Sequence, residues 1–153
     1  VRRTGLEEHD MKAVVYHGPR DIRVEEVGTP EIAANEVLLR VKACGICGSD
    51  LHTYRLGMFE EALGRPIENG RIVGHEMSGE IVEVGAAVEG FCAGDRVTSV
   101  GLGGFAEFTS LEIRERSPHL LPDTISFEEG AMMEPFATSL RFRTSRTQPS
   151  RCC

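Results

Sequence analysis

The sequence predicts a mainly β domain, a barrel or sandwich with a few short helices, and three observations carry that expectation. Short apolar runs recur along the chain, the clearest of them alternates between two faces, and turn signals punctuate them at short spacing. Only two stretches start like helices. This is not the pattern of a parallel α/β sheet, in which strands take turns with long amphipathic helices.

In chain order, "KAVVYHG" (residues 12–18) closes on Gly18-Pro19, and "DIRVEEVG" (21–28) follows with Ile22, Val24 and Val27. "EVLLRVKAC" (36–44) alternates: Val37, Leu39, Val41 and Ala43 are expected on one face, opposite Leu38, Arg40 and Lys42. "GRIVGHEMSGEIVEVG" (70–85) predicts two strands split by a loop holding His75, and "GDRVTSV" (94–100) and "GGFAEFTSL" (103–111) continue the series. "SDLHTYRLG" (49–57) predicts a short helical turn capped by Ser49 or Asp50. "SFEEGAMMEPF" (126–136) sets Ser126 three before Glu129, a capping-box signature, and Pro135 is expected to end or kink that helix. "VRRTGLEEHD" (1–10) has no apolar pattern and reads as a disordered extension before Met11.

A length of 153 residues suits one domain with a real hydrophobic core. Hydrophobic residues at 41% and charged residues at 27% are ordinary for a soluble globular protein. No apolar run approaches the roughly 20 residues of a membrane-spanning helix, and no basic-then-apolar leader marks secretion. The expectation is therefore a cytoplasmic protein with no membrane partner. A net charge of −7 argues against a nucleic-acid surface, which needs clustered Lys and Arg. Residues 141–153, "RFRTSRTQPSRCC", differ in composition, with four arginines, no acid and a Cys-Cys end. They read as a tail foreign to the domain and disordered.

Five cysteines in such a chain suggest metal or thiol chemistry rather than a disulfide framework, and only Cys44 and Cys47, in "ACGICGSDLH", have a context for it. A redox C-x-x-C wants a βαβ setting that the β-rich surroundings do not offer. A structural zinc site needs a second such pair, or an H-x-x-x-H, downstream, and neither is present. One thiolate acting with distant partners remains. The best partners are His75 and Glu76 in "GHEMSGE", where Gly74 and Gly79 let the backbone bend. Cys, His and a carboxylate would hold zinc with one position open, the arrangement of a catalytic site. Glu134 in "MMEPF" could supply a further ligand or stand behind it. Asp50 suits the second shell, accepting from the far nitrogen of His75. Spacing alone leaves each residue an ordinary alternative: a hydrogen-bonded histidine, a solvated acid, a helix-flanking acid. His9, His17 and His119 read as surface residues.

Taken in order, "GICGSDLH", "GHEMSGEIVEVG", "GDRV", "GGFAEF" and "EPFA" resemble the zinc-dependent medium-chain alcohol dehydrogenase family over residues 11–140. The "EP" motif resembles the polyol, threonine and butanediol dehydrogenase branch. The resemblance implies a GroES-like, partly open β-barrel. It implies Cys47, His75, Glu76 and Glu134 as zinc ligands or an acid beside the zinc, and Cys44 as a neighbour that does not bind. It also implies Ser49 and His52 as the catalytic hydroxyl and imidazole through which the alcohol proton leaves. Zinc would act as Lewis acid on a small alcohol or polyol, and hydride would pass to NAD(P).

The resemblance also predicts what is missing. No strand followed by G-x-G-x-x-G and a helix appears; "VGLGGFAEF" (100–108) lacks that spacing and context. A Rossmann domain, with its NAD(P) site, is thus expected to be absent, and the 141–153 tail to be a frameshifted or truncated end. Only "TSVGL" joins "GDRV" to "GGFAEF", where many relatives insert a four-cysteine structural zinc lobe. The expected function is the zinc-binding catalytic domain of an alcohol or polyol dehydrogenase, incomplete and inactive alone, with exposed apolar surface that favours a homo-oligomer. The alternatives are a non-catalytic GroES-like interaction module or a non-functional truncated gene product.

Overall fold

A computed structural model describes residues 10–57, 70–113 and 118–139. The expected extension, apart from Asp10, and the expected tail lie outside these residues. Among the described residues eight strands and three short helices follow one another. β1 (Asp10–Gly18) and β2 (Asp21–Gly28) form a hairpin, then come β3 (Glu36–Gly45) and α1 (Gly48–Leu56). β4 (Arg71–Ile72), β5 (Glu76–Val84), β6 (Arg96–Val100), β7 (Phe108–Glu112) and β8 (His119–Leu120) follow. α2 (Phe127–Ala131) and α3 (Met133–Ser139) close the sequence of elements.

The strands form two antiparallel sheets, β2-β1-β4 and β7-β3-β5-β6-β8. They are stitched together where β1 meets the segment before β7. Ala13 bridges Ala106, Val14 donates its N–H to the Phe105 carbonyl at 2.7 Å, and Glu107 donates to the Lys12 carbonyl at 3.1 Å. Among the described residues the outer strands do not pair with each other, so the barrel stays open, as the family resemblance implies.

The core of the larger sheet gathers Val37, Leu39, Met77, Ile81, Val97 and Leu111, with Val41 and Cys44 packed against it. The expected alternation therefore holds through Val41 and then changes phase. Lys42 is an extra residue on β3: Val41 pairs with Gly79, but Ala43 pairs with Ser78. This bulge hands the core-facing position to Cys44 instead of Ala43. Leu38, expected opposite the core, is also fully buried, because β3 is a central strand with cover on both faces.

α2 and the segment leading to it are pinned to the sheet by polar side chains. Ser78 Oγ donates to the Phe127 carbonyl, and Thr98 Oγ1 donates to the Gly130 carbonyl at 2.8 Å. Arg96 donates to the Pro122 and Ile125 carbonyls and lies over the Phe127 ring, 4.4 Å from its centre. The capping box forms as expected: Ser126 Oγ accepts from the Glu129 N–H at 3.1 Å, and Glu129 Oε2 accepts from the Ser126 N–H at 2.8 Å. Pro135 interrupts the helix as expected, and does so from downstream of the break. It sits in the first turn of α3, and the break falls at Met132, just before it. Lacking an N–H, Pro135 cannot bond back to the Ala131 carbonyl, so α2 stops there and the chain restarts.

Candidate metal centre

The first part of the site is the junction of β3 and α1. Cys47, in extended backbone, is the N-cap of α1, so the cap stands two residues before the first expected position. Asp50 explains the shift: from the third helical position its Oδ2 accepts the Cys47 N–H at 2.8 Å. The carboxylate thus fixes the residue that carries the thiol. Thr53 secures the next turn, donating its hydroxyl to the Ser49 carbonyl at 2.8 Å.

The second part is the loop between β4 and β5. Gly74 holds a positive φ of 87°, and a Cβ there would run into the Phe105 ring. Backbone bonds from Gly104 to the Gly74 carbonyl (3.0 Å) and from Phe105 to the Val73 carbonyl (2.9 Å) anchor that bend. Gly79 is not part of the bend; it lies inside β5. From the anchored loop His75 reaches α1. Its Nε2 lies 3.4 Å from Ser49 Oγ, and its Nδ1 lies 3.5 Å from Asp50 Oδ1. Glu76 follows as the first residue of β5 and is only 5% exposed.

Cys47, His75 and Glu76 each offer a ligand atom, and those atoms all lie within 4.8 Å of one another. A tetrahedral zinc centre with bonds of about 2.0–2.3 Å spaces its ligand atoms by about 3.3–3.8 Å. The three groups would need to draw in by about 1 Å, well within side-chain freedom. The mixed donor set of thiolate, imidazole and carboxylate suits zinc. A second observation favours a cation. His75 Nδ1 and Asp50 Oδ1 are both buried, face each other at ion-pair distance, and make no hydrogen bond. A cation on the other ring nitrogen would fix Nδ1 as the protonated one and draw it towards Asp50.

The two cysteines have different surroundings. Burial pushes the Cys44 thiol up to about 11, opposed by the backbone N–H groups of Glu76 and His75 and reinforced by the charges of Asp50 and Glu76. Cys44 is therefore a neutral thiol in the core wall behind the loop, not a member of the group. Glu134, half-buried in the first turn of α3, is also outside the group, although α3 packs on β5 and β6. His52 stands exposed on α1, three residues after half-buried Ser49. His17 is not a bare surface residue: its Nε2 pairs with Glu25 Oε1 at 2.8 Å across the β1–β2 hairpin. His119 is exposed on β8. Gly45 has no chemistry of its own and the sequence reading gives it no part, yet it lies directly across the sheet from Glu76.

The sequence profile of the alcohol dehydrogenase GroES-like domain matches residues 33–138, which include all of these residues except the His17–Glu25 pair. The chain belongs to this family. Among curated relatives of this GroES-like domain protein, the (R,R)-butanediol dehydrogenase of Bacillus subtilis is 37% identical, covering 85% of the chain and 46% of the relative. Human sorbitol dehydrogenase is 32% identical over 84% of the chain and 43% of its own length. The crystal structure of 2R,3R-butanediol dehydrogenase from Bacillus subtilis superposes with a TM-score of 0.71 at 36% identity, covering 85% of this chain and 46% of that one. A zinc-binding dehydrogenase from Sinorhizobium meliloti, solved with NADP, gives 0.72 at 30% identity, with coverages of 86% and 44%. The chain spans under half the length of these relatives.

Proposed function

We propose that residues 11–140 form the zinc- and substrate-binding domain of an NAD(P)-dependent alcohol or polyol dehydrogenase. The observation that carries this reading is the meeting of Cys47, His75 and Glu76 within 4.8 Å, in a chain related to butanediol and sorbitol dehydrogenases. Cys47, His75 and Glu76 are the proposed ligands, and Glu134 closes or backs the site from α3. Bound there, zinc would supply Lewis acidity towards an alcohol oxygen, favouring loss of its proton. Asp50 accepts the Cys47 N–H and faces His75 Nδ1 at 3.5 Å, so with the metal bound one carboxylate would orient two ligands. Ser49, beside His75, is the first acceptor of the alcohol proton. His52, one turn along α1 and open to solvent, passes that proton to bulk water through its two ring nitrogens. NAD(P) would take the hydride, as the NADP of the Sinorhizobium relative suggests.

Cobalt(II) is a spectroscopic substitute for zinc and tests the proposal directly. Titration of metal-free protein should show close to one equivalent bound, with a thiolate-to-cobalt charge-transfer band. Cys47→Ser should abolish that band, and His75→Ala should weaken binding by at least about a hundredfold. A vicinal diol should perturb the visible bands of the loaded protein. Absence of binding, or binding indifferent to both substitutions, would overturn the reading.

A further inference from the structure

We infer that Gly45 is a positioning residue: the side chain it lacks is the space in which the Glu76 carboxylate lies beside Cys47 and His75. The inference rests on the metal reading in one respect, that this carboxylate is a proposed ligand. Gly45 and Glu76 are partners in the β3–β5 ladder. Residues directly opposed in an antiparallel pair project to the same face, so their side chains compete for one volume. A Cβ on Gly45 would overlap Glu76 Oε2 and lie 3.2 Å from the Glu76 Cβ and 3.4 Å from its Cδ. Glu76 is almost wholly buried, so its carboxylate has little free space to retreat into.

The backbone does not explain a glycine here. Gly45 is not among the residues with positive φ, so another residue could adopt its conformation. At neighbouring Gly48 a Cβ would meet nothing within 4 Å. The demand for glycine at 45 is therefore steric, and it comes from the acid opposite. The register that creates it comes from the Lys42 bulge, three residues upstream. The Gly45 backbone cannot easily give way either, because Cys44 before it is packed into the core of the larger sheet.

Replacing Gly45 by Ala should displace the carboxylate while leaving the Cys47 thiolate and His75 imidazole in place. Cobalt titration of Gly45→Ala should keep the thiolate charge-transfer band but show affinity lowered by about ten- to a hundredfold, the range for supporting groups around a metal. The same substitution in a Glu76→Ala background, where no carboxylate remains to displace, should cost nothing further. Unchanged affinity in Gly45→Ala, or an equal loss in both backgrounds, would overturn the inference. Should Gly45→Ala fail to fold, recovery of the fold in Gly45→Ala/Glu76→Ala supports the same steric pairing, and an unfolded double variant overturns it. A metal-free arm separates this inference from the metal reading. In protein labelled with 13C at glutamate carboxyls, Gly45→Ala should move the Glu76 resonance, and an unmoved resonance overturns the inference. Failure of wild-type protein to bind cobalt, together with a moved Glu76 resonance in Gly45→Ala, sinks the metal reading and leaves Gly45's control of the acid standing.

Discussion

Among single residues, Cys44 and Cys47 show how environment divides two thiols that spacing presents as a pair. Cys47 opens α1 beside His75 and Glu76, whereas Cys44 packs against the core. The raised Cys44 value has a sign that can be tested. Its ordinary value is 9.0 and its folded value about 11, with burial the main cause. Below about pH 9 the thiol keeps its proton in both folded and unfolded chains, and stability is complete. Between about 9 and about 11 the unfolded chain releases the proton and the folded one retains it, so stability falls as pH rises. Urea midpoints measured from pH 8 to 11 should fall, and Cys44→Ala should flatten that slope even if it lowers the neutral-pH value. An equal slope in the variant would sink this account. The grouping of Cys47, His75 and Glu76, with Asp50 beside it, was legible in the sequence because thiolate, imidazole and carboxylate are recognisable by residue type. Gly45 was not legible, because its contribution is an empty volume that exists only once the ladder is aligned. The His17–Glu25 pair was missed for a similar reason: it forms across a hairpin whose register the sequence does not display.

For the elements, apolar alternation located most strands but could not locate the bulges that change their phase. A strand with an inserted residue reads as a regular strand with one misplaced side chain, which is how Ala43 came to be expected where Cys44 packs. Local chemistry was easier to read. The Ser126–Glu129 box depends on four consecutive residues, and it forms as the pattern says. Pro135 interrupts its helix as the pattern says, and the break falls upstream of it because its missing N–H cannot reach back to the preceding turn. Removing the cap makes a prediction at this scale. Ser126→Ala leaves the Glu129 N–H without its partner at the start of α2 and should destabilise the fold by about 1 kcal/mol. Glu129→Ala should cost a similar or smaller amount. The pair should be less than additive, since each half of the box holds the other. Chemical denaturation of both singles and the double measures this, and strict additivity would count against a reciprocal box.

The whole molecule shows where this fold leaves apolar surface uncovered. Ser78, Thr98 and Arg96 fix α2 and its approach to the sheet, and α3 follows it after the break at Met132. Met132, Met133 and Phe136 are 58%, 45% and 59% exposed, and with Pro135 they line one hollow along the helices. We propose this apolar face, rimmed by polar residues, as a site of self-association. The net charge of −7 opposes contact between copies, and salt screens that repulsion without weakening apolar burial. Self-association should therefore increase with both protein and salt concentration, the reverse of the salt response of a charge-paired contact. Light scattering should show the average mass rising from monomer as protein concentration increases, more steeply in 0.5 M than in 0.05 M sodium chloride, where the screening length shortens from roughly 14 to roughly 4 Å. Met132→Lys/Phe136→Lys should hold the chain closer to monomer in both salts while leaving cobalt binding intact, since neither residue belongs to the Cys47–His75–Glu76 group. A mass independent of concentration, or one that falls with salt, would show that this face does not drive association.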